Sequence, residues 1–275
     1  MSKNEALITS RQNPRIVEAR KLDQRKYRKR QGRFRVEGLQ LLHMALDAGA
    51  RPLEVFYCES QFVGSEAPQL LRRFAASGAQ LFAVTPQVME SLSERDVCQG
   101  LVAIFGLWEA DLSSLRLTGC DLVVVLDRLQ DPGNVGTLIR TADAVGARAV
   151  VLIEPCVDVF DPKTVRGSMG SLFNLPVIVH SGNVATLFDF LRAGQLRLVG
   201  ADAQLGAAWG ESLWEGGVAL ALGNEARGLS PDVRAQVQCW ARLPIVGRAE
   251  SLNVAVAGGV LMYLWLRANR PESKA

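Results

Sequence analysis

Three short stretches in the second half of the chain bring small residues, amides and charge together in patterns that suit a ligand site. The first runs Asp127-Arg-Leu-Gln-Asp-Pro-Gly-Asn-Val-Gly-Thr-Leu-Ile-Arg140. Asn134 is placed to cap the helix that follows, and Gly133 and Gly136 permit close backbone approach. Arg140 has two readings, a cation turned toward a ligand or the salt-bridge partner of Asp143 or Asp127. The second stretch, Leu220-Ala-Leu-Gly-Asn-Glu-Ala-Arg-Gly-Leu229, ends a strand in glycine and displays Asn224, Glu225 and Arg227. It is either a backbone platform for a cofactor or a tight turn in which Glu225 pairs with Arg227. The third, Leu243-Pro-Ile-Val-Gly-Arg-Ala-Glu-Ser-Leu-Asn253, sets Ser251 and Asn253 before a very apolar helix whose free N–H groups attract an anion. None has dinucleotide-fold glycine spacing or the Lys-Ser/Thr of a phosphate loop. A fourth stretch, Asp161–Ser171, offers Lys163, Arg166, Ser168 and Ser171 to a phosphate backbone, or is a solvated loop.

The elements that must position these loops are legible in the apolar periodicity. Leu122–Leu126, Ala149–Ile153, Val177–Val179, Leu196–Gly200, Val218–Leu222 and Ala241–Leu243 read as strands, several of them apolar throughout, as when both sheet faces are covered. Val135–Val145, Pro162–Gly167, Val184–Ala193 and Asn253–Ala268 read as the helices between them. The fold class is α/β with a mostly parallel sheet, and ligands of such sheets sit beyond the carboxyl ends of the strands. Ahead of it lies a smaller α/β unit. Val36–Gly49, Ala67–Ser77 and Pro86–Ser91 read as helices, and Leu53–Cys58, Gln80–Val84 and Val102–Phe105 as strands. The expected division is a basic N-terminal arm and helix over 1–35, a small domain over 36–106, a linker over 107–120 and the larger domain over 121–270.

Charge is distributed unevenly. Residues 1–35 hold twelve basic and three acidic side chains, whereas the whole chain of 275 residues carries only a formal +3. A basic end on a mildly acidic body points to a polyanionic partner, nucleic acid before anionic lipid, with a solubilising tail as the bland alternative. Arg25, Lys26, Arg28, Lys29, Arg30, Arg33 and Arg35 are candidate phosphate contacts. Tyr27 and Phe34, set among them, either stack on unpaired bases or anchor the segment, with anchoring favoured for Phe34. Five scattered cysteines and two histidines match neither a zinc pattern nor a disulfide framework, so a reducing, cytoplasmic setting and no metal are expected. No apolar run reaches the length of a membrane span, and the first residues lack the apolar core of a signal peptide.

Taken together, Asn134-Val-Gly-Thr-Leu-Ile-Arg140, Gly223-Asn-Glu-Ala-Arg-Gly-Leu229, and Leu243-Pro-Ile-Val-Gly247 with Ser251-Leu-Asn-Val254 resemble the three signature motifs of the SpoU/TrmH RNA ribose 2′-O-methyltransferases. The resemblance covers about residues 120–270, and residues 36–106 look like the ribosomal-protein-like domain often attached in that family. It implies S-adenosyl-L-methionine as methyl donor, a C-terminal trefoil knot, and a homodimer whose sites draw on both subunits. It carries catalytic roles to Arg140, Asn134, Glu225, Ser251 and Asn253, and donor-binding roles to Gly223, Leu243 and Leu252. Ile245, Gly200 and Leu222 adjoin that donor edge. Two positions depart from the family's habit: Ala255 where serine is common, and Ala201 before Asp202 where threonine is common.

The implied substrate is RNA, with ribosomal RNA of the large subunit favoured over transfer RNA and antibiotic-resistance methylation as a sub-case. A different class stays open at this point, an RNA-binding or ribosome-assembly protein with an inactive methyltransferase domain. The intact polar residues of the three motifs argue against it.

Overall fold

The computed structural model describes residues 7–93, 98–208 and 211–269. The first six residues of the expected basic arm, and residue 270 at the end of the expected larger domain, lie outside them. In chain order the first half contains α1 (Pro14–Lys21), α2 (Arg25–Gln31), β1 (Arg33–Glu37), α3 (Leu39–Asp47), β2 (Glu54–Tyr57), α4 (Glu66–Ala76), β3 (Gln80–Ala83), α5 (Pro86–Glu90) and β4 (Leu101–Gly106). The second contains β5 (Leu122–Asp127), α6 (Pro132–Ala144), β6 (Ala149–Ile153), α7 (Pro162–Gly167), β7 (Val177–His180), α8 (Val184–Ala193), β8 (Arg197–Ala201), β9 (Ala207–Ala208), β10 (Val218–Gly223), α9 (Pro231–Arg234), β11 (Cys239–Arg242) and α10 (Val254–Asn269). Contacts divide the chain into two compact units, residues 1–108 with 160–174, and residues 109–159 with 175–275.

In the first unit a four-stranded sheet runs in the order β1-β4-β2-β3. β4 is antiparallel to both β1 and β2, and β2 is parallel to β3. The helices of the basic segment belong to this unit. Ile16, Ala19 and Leu22 pack with Phe56, Phe82, Val88, Met89 and Ile104 in one core. Asn13 caps α1 through the Arg15 N–H, and Pro14 occupies the first helical position.

The expected helix over Val36–Gly49 needs correction: β1 comes first and the helix begins at Leu39. Arg33 and Arg35 disguise the strand, because their charge reads as part of a solvated basic run. Phe34 and Val36 are nonetheless completely or almost completely buried. Phe34 is an anchor, its ring 4.8 Å from Phe160, 5.4 Å from Trp108, 5.9 Å from Phe105 and 6.2 Å from Phe173 between centroids.

The second unit is built on a seven-stranded sheet in the order β7-β6-β5-β10-β8-β11-β9, with every neighbouring pair parallel. β5 and β6 are buried along their whole length, which is why they lack alternation. From β5 the order departs to β6 on one side and to β10 on the other, leaving a crevice beyond the carboxyl ends of β5 and β10. Gly223 ends β10 directly opposite Asp127 at the end of β5. α10 packs on α6 and β10. Gly258 makes that approach possible, since a Cβ there would meet Leu138 and Leu222 methyl groups at 2.6 Å. Among the described residues no helix is long and apolar enough to cross a membrane.

Truncating the aromatic anchor tests this account of the first unit. Phe34→Ala is expected to cost about 3–5 kcal/mol. In urea the unfolding of that unit should shift to clearly lower denaturant. A midpoint equal to wild type would contradict the burial described.

Candidate functional site

The crevice between β5 and β10 collects the three polar loops through one chain of hydrogen bonds. Asn134 donates from Nδ2 to Glu225 Oε1 at 3.0 Å, and its Oδ1 accepts from Asn253 Nδ2 at 2.9 Å. A single carboxamide therefore joins the loop after β5, the loop after β10 and the start of α10.

Asn134 is free for this because it does not cap α6, as the sequence suggested. The cap is Asp131, whose Oδ1 accepts from the Asn134 N–H at 2.7 Å. Capping needs a side chain before the first turn, and Pro132 rather than Asn134 opens that turn. Asn253 does cap its helix, accepting from the N–H groups of Ala255 at 2.8 Å and Val256 at 3.3 Å. Its two ends thus serve different purposes.

The loop after β10 is closed at its neck. Asn224 and Gly228 exchange backbone hydrogen bonds at 3.0 and 2.8 Å, and Asn224 Oδ1 accepts from the N–H groups of Ala226 and Arg227. A Cβ on Gly223 would lie 2.2 Å from the Gly228 carbonyl carbon and 2.3 Å from the Leu229 nitrogen, so no other residue fits. Glu225 is paired with Asn134 rather than with Arg227.

Beside this network lies a cavity of about 580 Å³. Gly223, Leu243, Ile245, Leu252 and Leu222 line it, as do Glu225, Ser251 and Asn253. Asp202 lines it too. Burial pulls its carboxyl upward, but the N–H groups of Gln204 and Leu205 and the Arg234 guanidinium outweigh this and hold it below the usual carboxylate range.

Gly200 does not line the cavity. It is buried in β8, one residue before Ala201, which does, and a Cβ there would press on the rings and methyls of Trp240, Val237 and Leu229. Arg140 stands apart as well. Its side chain is exposed on α6 and makes no hydrogen bond or ion pair among the described residues, with neither Asp143 nor Asp127 as its partner. Six positions separate it from Asn134, which turns the two side chains about 120° apart around the helix. Sequence reasoning missed the Asp131 cap and the loop-closing work of Asn224. The Asp-Pro-Gly-Asn order was the available signal for the first, since proline marks the first helical position.

The basic residues of the first unit fall into two sets. Arg25, Lys26, Lys29 and Arg30 are exposed on α2, and Lys163 is exposed on α7. Arg30, Lys21 and Lys26 lie 4.9, 5.6 and 5.9 Å from the centre of the partly exposed Tyr27 ring. Arg33 is half-buried, 3.6 Å from Glu54.

The other set is spoken for within the fold. Arg28 is only 2% exposed and donates to the carbonyls of Leu22 and Asp23 at 2.8 and 2.9 Å, with Asp161 at 3.7 Å. Arg35 is buried and 2.7 Å from Asp23. Arg166 is 3.3 Å from Glu37. Ser168 is fully buried, its hydroxyl donating to the Val165 carbonyl, and Ser171 is buried too. These groups differ from the exposed set because burial demands that each be paired.

Residues 121–263 match the model of the SpoU rRNA Methylase family, and residues 13–103 match that of the MRM3-like substrate binding domain. A 23S rRNA (guanosine(2553)-2'-O)-methyltransferase of Bacillus subtilis is 32% identical over 93% of this chain and 97% of its own length. A 23S rRNA (uridine(2479)-2'-O)-methyltransferase of Streptomyces viridochromogenes is 32% identical over 88% of this chain and 85% of its own. Among solved structures, an AdoMet-bound rRNA methyltransferase from Sinorhizobium meliloti superposes with a TM-score of 0.84 at 32% identity, covering 95% of this chain and 97% of the other.

Asp202 yields a pH prediction. Its carboxyl is depressed in the fold, so its stabilising contribution is complete above the unfolded value of about 4 and is lost as pH falls through the folded value. Asp202→Asn should flatten the acid limb of a plot of melting temperature against pH. The same acid slope in both proteins would refute the assignment.

Proposed function

Since this chain belongs to the SpoU rRNA methylase family and is an RNA methyltransferase, we propose that it transfers a methyl group from S-adenosyl-L-methionine to a ribose 2′-oxygen of large-subunit ribosomal RNA. The observation that carries this reading is the Asn253–Asn134–Glu225 network at the edge of the cavity, which unites the three motif loops in one place. The cavity suits the donor. Its volume of about 580 Å³ falls in the roughly 300–1,000 Å³ range of small-molecule sites. Leu222, Ile245 and Leu252 give it an apolar wall, and the bare Cα of Gly223 lets main-chain groups come close. The bound donor supplies a methyl group on a positively charged sulfur whose charge is lost on transfer.

The chain's own residues then bind, orient and exclude water. Leu243 and Leu252 present main-chain groups to the donor beside Gly223. Asn134 fixes Glu225 and Asn253 so that the three loops keep one geometry, and Ser251 offers a hydroxyl to the ribose. Arg140 provides positive charge to the developing 2′-oxyanion and orients an RNA phosphate oxygen that takes the hydroxyl proton, while the donor leaves as the neutral thioether. A guanidinium whose pKa exceeds about 12 is a poor proton acceptor, so electrostatic stabilisation is the role that fits its chemistry.

Arg140 lies about 120° around α6 from Asn134 and does not line the cavity of its own chain, which supports a homodimer in which Arg140 of one protomer completes the site of its partner. Val256, Val260 and Tyr263 form an exposed apolar stripe on α10, next to α6, and give such a dimer a surface to bury. The C-terminal segment follows the trefoil threading that the family resemblance implies. α2 presents Arg25, Lys26, Lys29 and Arg30 to RNA phosphates, and the smaller unit selects ribosomal RNA in the cytoplasm. The division of labour follows the matched segments, substrate selection by the first and methyl transfer by the second.

Mapping ribose methylation across ribosomal RNA from cells with and without the gene should reveal one lost mark. Arg140→Ala should lower kcat on that site by about 10²–10³ while donor affinity holds. A variant restoring the mark at the normal rate would remove Arg140 from the reaction. Alanine at Lys26, Lys29 and Arg30 together should reduce the slope of log K against log salt for RNA by about two to three. An unchanged slope would move the RNA face elsewhere.

A further inference from the structure

Asp127 takes no part in the chemistry above, yet it is wholly buried at the carboxyl end of β5, beside the crevice. Its Oδ2 accepts from the Ser230 N–H at 2.5 Å. Its Oδ1 has no hydrogen-bond partner, and the nearest cation is the Arg128 Nε at 3.7 Å. Keeping a carboxylate in such a place is costly, and an apolar side chain would pack there more cheaply. The next residue, Arg128, adopts a left-handed conformation at φ 60, uncommon for a residue with a side chain. Its carbonyl accepts from Asn224 Nδ2 at 2.9 Å.

Two consecutive residues of β5 and its turn therefore grip both ends of the loop after β10. Arg128 holds Asn224, the first residue beyond the strand. Asp127 holds Ser230, just past the loop's closing residues. Between these two grips lie Glu225, Ala226 and Gly228, which line the cavity, and the Asn224–Gly228 neck. The loop's outer contact is the Asn134 hydrogen bond to Glu225, which is exposed to solvent. Of these contacts the Asp127–Ser230 hydrogen bond is the one sheltered from water, where hydrogen bonds are stronger, while the Asn224–Arg128 bond is exposed.

We propose that Asp127 is a positioning residue for the methyl-transfer site: through Ser230, and together with the Arg128 carbonyl on Asn224, it latches the Gly223–Gly228 loop in its donor-binding shape. The inference rests on the reading of the cavity as the donor pocket. A role confined to the fold would lower the melting temperature and leave the affinity of the folded protein for the donor unchanged.

The test titrates S-adenosyl-L-methionine into the full-length wild type, Asp127→Ala and Asn224→Asp by calorimetry, alongside their melting temperatures. Asn224→Asp replaces the N–H donor to Arg128 by a carboxylate oxygen that repels the Arg128 carbonyl, adds a negative charge to the cavity wall, and keeps the oxygen that accepts from Ala226 and Arg227. Asp127→Ala should raise the donor Kd by about tenfold, the scale of losing a charged acceptor from a buried hydrogen bond. Asn224→Asp should raise it several-fold with a melting temperature near wild type, and the KM for RNA should stay put. Donor affinity within about twofold of wild type in both folded variants overturns the latch. Should Asp127→Ala not fold, Asp127→Leu, which fills the buried site and removes the acceptor for Ser230, takes its place under the same criterion. A wild-type protein that fails to bind the donor overturns the reading of the cavity and the latch with it, a result distinct from normal binding that ignores both substitutions.

Discussion

One carboxamide at Asn134 holds together loops that lie about ninety and about a hundred and twenty residues away in the chain. It can do so because an amide both donates and accepts, and because Asp131 relieves it of capping duty. An aspartate in its place would repel Glu225, and a serine would be too short to span both partners. The parallel sheet sets the distances within which this works. β5 and β10 are neighbours in register, so their end loops emerge side by side, and α10 is brought down onto α6 by the absence of a side chain at Gly258.

Much of this site is legible in the sequence. The apolar runs at Leu122–Leu126 and Val218–Leu222 located the strands whose ends matter, and the amides and glycines just past them marked the loops. What stayed hidden was partnership. Nothing in the local pattern distinguishes Asn134 as a cap from Asn134 as a bridge, because its bonding partners are remote in sequence. Gly200 and Gly223 both end or nearly end strands, yet one faces packed side chains and the other lines the cavity.

The first unit was harder to read for a different reason. Charge in a sequence runs along the chain, whereas burial is decided in three dimensions. Arg28 and Arg35 sit among exposed arginines and lysines and look the same in sequence, but they point inward and are satisfied by carbonyls and Asp23. The same run of cations hid β1, since alternation of arginine with Phe34 and Val36 resembles a solvated tail until the strand's partner, β4, is known. Arginine's long aliphatic stem makes that placement tolerable.

The segment from Phe160 to Asn174 belongs to the first unit although the chain on either side of it belongs to the second. It departs from the methyltransferase sheet after β6 and returns to it at β7, yet it supplies Phe160 and Phe173 to the ring cluster around Phe34, and Asp161 and Arg166 to Arg28 and Glu37. The first unit is therefore not a single contiguous stretch of chain. Shuffling it between relatives by exchanging only the amino-terminal stretch would leave aromatic rings without their counterparts and ion pairs halved.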